Sequence, residues 1–124
     1  MKKAKSNAIE LHAWLIRSIG ECERCYSTES LTCAHIIKRR YSRTVTDLRN
    51  ALCLCLPCHR YMEDNPREFS KFISETWAQE YYDQIYAKSQ QVGKIDWDDE
   101  YERLKIIKKR LADESLHRLR EEEE

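Results

Sequence analysis

Two Cys-x-x-Cys pairs, Cys22-Glu23-Arg24-Cys25 and Cys55-Leu56-Pro57-Cys58, constrain this chain more than any other feature. They are separated by 29 residues, enough for a strand, a loop and a second strand. Four thiolates in two such pairs match a tetrahedral zinc site. A shared ion draws both knuckles together and fixes what lies between and beside them, which here includes His35, Asn50 and His59. Between Gly20 and Asn65 apolar residues are too sparse to stabilise a fold of that size alone, and small scaffolds of this kind use a staple. Structural zinc in comparable units supplies about 10–16 kcal/mol of apparent binding free energy, which becomes folding free energy.

Metal is the expected use of the thiols because no secretory leader or transmembrane run is read. That predicts a reducing, cytoplasmic setting with no membrane partner, where six cysteines point away from disulfides. Cys33 and Cys53 belong to neither pair and read as small apolar packing residues. Only two glycines and two prolines in 124 residues argue against a loop-rich or all-β chain, so a helix-rich α+β fold is expected.

Residues 6–19 read as an amphipathic helix, with Ala8, Leu11, Leu15 and Ile19 on one face and Gly20 as its stop. Residues 31–37 and 51–56 read as short apolar strands, joined by a basic loop through Lys38 to Arg49. A short helix runs from Cys58 to about Asp64. Asn65-Pro66-Arg67-Glu68 then offers a cap, a first-turn proline and an acid for a helix reaching to Gly93. Asp96 starts another, with acids first and Lys108, Lys109 and Arg110 later, as the helix dipole favours. The chain thus divides into an N-terminal helix (1–20), a zinc-bound core (21–72) and a helical extension with an acidic end (73–124), whose stripes suit core packing or a homo-oligomer.

Charge is uneven although the total is zero. Residues 1–60 carry 11 Lys/Arg against 5 Asp/Glu, and residues 61–124 carry 11 against 17. The basic half holds the cysteines, and Lys38, Arg39, Arg40, Arg43 and Arg49 cluster in the loop after His35. Such a cluster suits the phosphates of a nucleic acid without reading its sequence.

An isolated histidine reads as a packed residue, but His35 stands in a set. Neutral imidazole can take a proton from water at physiological pH. On the strand its ring is expected to face the groove between the hairpin and the following helix. His59 and Glu63 lie four apart on the short helix, share a face and can bind one divalent ion, with Asp64 as an alternative carboxylate. Asn50 can bond across the loop and hold the hairpin against the histidine.

The order Cys-x-x-Cys, strand histidine, asparagine, Cys-x-x-Cys-His resembles the HNH endonuclease family, which has the ββα-metal fold. Ala34-His35-Ile36-Ile37-Lys38-Arg39-Arg40-Tyr41, Asp47-Leu48-Arg49-Asn50 and Cys58-His59-Arg60-Tyr61 are most similar to phage NinG-type HNH proteins, over about residues 20–70. The resemblance implies His35 as the base that activates water, Asn50 as the brace, and His59 with Glu63 as ligands of a catalytic Mg2+, Mn2+, Ni2+ or Zn2+. It implies DNA as the substrate, structural zinc on the four cysteines, and a phage or bacterial DNA-processing setting. Ala34 stands where family members commonly carry an acidic or second histidine ligand, and Glu63 where histidine or asparagine is frequent. A zinc-stabilised DNA-binding module without cleavage is therefore the alternative.

Overall fold

The computed structural model describes residues 2–124, an α+β, helix-rich arrangement with one two-stranded sheet. Helix α1 (Lys2–Arg17) leads into the first knuckle, and Gly20, with φ 88°, takes the left-handed turn beyond it. Strand β1 (Leu31–His35) pairs antiparallel with β2 (Ala51–Cys55), and a short 3-10 turn at Leu48–Asn50 delivers the chain into β2. Helices α2 (Leu56–Asp64), α3 (Pro66–Ser74), α4 (Ala78–Ser89), α5 (Trp97–Arg110) and α6 (Leu116–Arg120) follow.

The register sets Leu31 opposite Cys55, Cys33 opposite Cys53 and His35 opposite Ala51. Because side chains alternate along a strand, each hairpin face gets its own set. Leu31, Cys33, Ala51 and Cys53 pack with Ala8, Leu15 and Ile16 of α1 and with Leu104 of α5. Ala34, Leu52 and Leu54 pack with Met62 of α2, Ile73 of α3 and Ala78 of α4. Helices thus cover both faces of the hairpin, which explains why β2 is apolar at every position and buried throughout.

The expected helix from Pro66 to Gly93 is two helices. The Thr76 hydroxyl donates to the Ile73 carbonyl and accepts from the Ala78 N–H, offering the backbone a local alternative to the helical ladder. Asn65 does not cap α3 with its side chain; its amide donates to the Tyr61 carbonyl and closes α2 instead. Asp96 does cap α5, accepting from the Asp99 N–H at 3.0 Å.

The C-terminal residues are tied into the centre. Leu104 and Ile107 of α5 and Leu116 and Leu119 of α6 complete the cluster that holds α1 to the hairpin. Arg120 is 1% exposed, donates to the carbonyls of Leu48 and Ala51 at 2.9 Å each, and lies over the Trp77 ring. Glu123 accepts the Leu48 N–H at 3.0 Å and pairs with Arg103. Among the described residues, no helix is long and apolar enough to cross a membrane.

Candidate functional site

The four knuckle cysteines come together at one end of the hairpin. The Sγ atoms of Cys22, Cys25, Cys55 and Cys58 all lie within 4.8 Å of one another, and those of Cys25 and Cys55 are 3.6 Å apart. Sulfurs on a tetrahedral zinc, at a Zn–S distance of about 2.3 Å, are about 3.8 Å apart, so the cluster can hold a structural metal such as zinc. Burial pushes the Cys22 thiol up, but N–H groups of Cys25, Cys55 and Arg24 outweigh it and bring it down to about 7. Cys58 is pushed up to about 12 by burial and by the neighbouring thiols, against the Arg24 guanidinium, which donates to its sulfur at 3.3 Å. Cys22 ionises readily while Cys55 and Cys58 resist, as expected of clustered sulfurs that need a dication to share their charge. The first knuckle closes at Tyr26, whose left-handed φ of 67° costs about 1–2 kcal/mol for a residue with a side chain.

The other end of the hairpin is built by the loop. Asn50 is fully buried: Oδ1 accepts the Ile37 N–H at 2.7 Å, and Nδ2 donates to the carbonyls of Ile37 at 3.1 Å and Thr44 at 2.9 Å. It ties the start and the middle of the 37–50 loop to the residue that leads into β2. Asp47, also buried, takes Arg49 in a two-pronged pair and Lys88 of α4 at 2.7 Å. Burial raises the Asp47 carboxyl, but these cations win and hold it at about 2. The loop so fixed presents the Val45 carbonyl, which accepts from His35 Nε2 at 2.9 Å. That bond puts the proton on Nε2 and leaves the lone pair on Nδ1. Burial, with Arg39 adding to it, holds His35 below the ordinary imidazole value and keeps it neutral.

The register turns His35 onto the α1 face of the hairpin, whereas the sequence predicts it in the groove between the hairpin and the following helix. Its ring stacks on His12 of α1, centroids 5.3 Å apart. It still lines an open cleft, of about 1340 Å³, with β1 as the floor, α1 as one wall and α2 and α3 as the other. The cleft exceeds the usual size of a small-molecule pocket.

His59 and Glu63 enter that cleft from α2. Thr32 Oγ1 donates its one proton to the Leu54 carbonyl at 2.7 Å, so toward His59 Nδ1, 2.8 Å away, it accepts. His59 therefore carries its proton on Nδ1 and keeps the Nε2 lone pair, 3.9 Å from Glu63 Oε1. A histidine whose second nitrogen is anchored this way is oriented as metal ligands are. Glu63 is exposed, and Ala34, with only a methyl group, offers no donor beside them.

The five loop cations separate. Lys38, Arg39 and Arg40 are exposed, and Lys38 and Arg39 border the cleft. Arg43 turns toward the C-terminal half and donates to the Val92 carbonyl at 3.0 Å, its Nη2 occupying the space a Cβ at Gly93 would need. Arg49 is 3% exposed and committed to Asp47 and Gln84, so it presents no charge to a ligand. Arg17 of α1, absent from the sequence-predicted set, is exposed and borders the cleft from the opposite wall.

His12 also escaped the sequence reading. It is fully buried, its Nε2 donates to the Asp47 carbonyl at 2.9 Å, and burial beside His35 drops it to about 3. Its signal was present: it lies four residues after Ala8 and three before Leu15, inside the apolar stripe. No family model, curated protein or solved structure matches the chain.

Proposed function

We propose that the chain is a metal-dependent endonuclease of the HNH type that hydrolyses DNA phosphodiesters. The observation that carries the reading is one cleft lined by two histidines, His35 and His59, each with one ring N–H committed to a fixed oxygen and one lone pair free. An antiparallel hairpin followed directly by α2, with a four-thiol cluster clamping one end, is the arrangement the ββα-metal core calls for. His35 Nδ1 takes the proton of the attacking water while the Val45 carbonyl stabilises the imidazolium that forms. Asn50 holds that carbonyl in place through the loop. His59 Nε2, with Glu63, is positioned to hold a divalent ion, which when bound would offset charge on the phosphate and the leaving oxygen. Arg17, Lys38 and Arg39 line the approach and suit the flanking phosphates. Zinc is the ion assigned to the four cysteines.

Nicking of supercoiled plasmid by the zinc-loaded chain with magnesium, manganese or nickel tests this. His35→Ala is expected to slow cleavage by about 10²–10⁴-fold, and equal cleavage by both proteins rejects the base. A second reading, a zinc-stabilised DNA-binding module without cleavage, is favoured by Ala34, which leaves a catalytic ion only His59 and an exposed carboxylate. Salt-sensitive DNA binding by the native chain, with no nicking in any of the three ions, would select it.

A further inference from the structure

Beside the His59–Glu63 pair lies a second donor set. One ligand atom from each of His12, Cys33 and His35 falls within 4.8 Å of the others. His12 Nδ1 is 3.9 Å from Cys33 Sγ, against about 3.6 Å for a nitrogen and a sulfur sharing a tetrahedral zinc. Two imidazoles on such an ion have ring centres about 5 Å apart, and those of His12 and His35 are 5.3 Å apart. Both rings donate Nε2–H to a backbone carbonyl, Asp47 for one and Val45 for the other, so the free lone pair of each is on Nδ1. Ligating histidines are anchored this way. His12 is fully buried, and its Nδ1 faces the Cys33 sulfur. Cys33 and His35 open onto the cleft, which gives an ion its entry path and leaves a fourth position for water.

We infer that His12, Cys33 and His35 form a second metal site, selective for a thiophilic dication such as zinc and separate from the four-cysteine cluster. Binding releases the Cys33 proton to solvent, since only the thiolate ligates. Soft sulfur with two imidazoles selects zinc or cobalt over magnesium and manganese. Resting on the proposed function, the site has a consequence: an ion there takes the His35 lone pair that hydrolysis needs, so zinc in excess of the structural equivalent opposes the hard ion that supports cleavage.

The test reads binding, not turnover. The reduced full chain is loaded with one equivalent of zinc and titrated with cobalt(II), and the thiolate-to-cobalt charge-transfer band is taken as the difference between the wild type and Cys33→Ser. Cobalt exchanging into the four-cysteine cluster cancels in that difference. One further equivalent with a clear difference band is expected, unchanged by His59→Ala and at least tenfold weaker in affinity in His12→Gln. A zero difference, or loss of the band in His59→Ala, overturns the site. Should His12→Gln unfold, the Cys33→Ser and His59→Ala arms still decide. A band without plasmid nicking keeps this site and removes the nuclease reading; nicking without a band does the reverse.

Discussion

The two ends of the one hairpin are held by different physics. At the Leu31–Cys55 end the chain converges through four sulfurs, and its nearest apolar partners, such as Leu54 and Met62, belong to the cluster shared with α2, α3 and α4. At the His35–Ala51 end no thiol takes part. There Asn50, the Asp47–Arg49–Lys88 group and Arg120 satisfy buried backbone and charge among themselves. The first end, on the proposal that its four sulfurs hold zinc, takes its stability from that ion and loses it when the metal is removed. The fold of the second is held by hydrogen bonds and ion pairs within the chain itself. The cleft spans both: His59 follows the last cysteine directly, whereas His35 hangs from the loop. Placing the two histidines therefore needs both ends, one for each ring.

Metal removal gives the largest effect. Strong chelation of the reduced protein, or Cys55→Ser, withdraws about 10–16 kcal/mol, comparable to the whole stability of a small domain. Far-ultraviolet circular dichroism and amide exchange are expected to show the knuckles and the 31–55 hairpin opening together. An unchanged spectrum with no zinc bound would erase the distinction between the two ends.

Breaking the other end is the next largest. Asp47→Asn leaves Arg49 buried without its carboxylate, a change that costs about 3–5 kcal/mol, read by urea unfolding of the zinc-loaded protein. The sign of the pH dependence follows from a folded-state value of about 2. Asp47 contributes stability that is complete above the ordinary carboxylate value of about 4 and is lost as pH falls through about 2. Acid also strips zinc from the other end, so the quantity to follow is the stability difference between wild type and Asp47→Asn. That difference should shrink across this window, and a constant difference would remove Asp47 from the account.

What was legible in the sequence was local. The Cys-x-x-Cys pairs announce their chemistry within four residues, Asp96 caps a helix whose acids stand beside it, and β2 reads as a strand from six apolar letters. What escaped depends on distant partners. Arg49 looks like one more loop cation until Gln84 and Lys88 arrive from α4 to enclose its ion pair. Arg120 and Glu123 look like a solvated tail, yet their partners are backbone atoms of Leu48 and Ala51. Removing 95–124 would therefore take Leu104, Ile107, Leu116 and Leu119 out of the cluster under α1 as well as any partner surface. His12 was hidden by the stripe it belongs to: periodicity marks a face as buried and says nothing of the ring lying on the other side.

The smallest effect sharpens the comparison within the loop itself. Its inner side holds Asp47, Arg49 and Asn50, and its outer side holds Lys38 and Arg39. Lys38→Ala with Arg39→Ala touches no buried group, so the stability of the zinc-loaded chain should move by less than about 0.5 kcal/mol. DNA affinity should nevertheless fall. The slope of log K against log salt should become shallower by about 0.9 for each phosphate contact removed. Arg49→Ala is the matched opposite: it leaves the buried Asp47 carboxylate with Lys88 alone and lowers stability by kilocalories, while the salt slope of the protein that remains folded stays where it was. If Arg49→Ala alone flattened the slope, the buried pair would have to open on DNA, and the division of the loop into a structural inside and a phosphate-facing outside would be wrong.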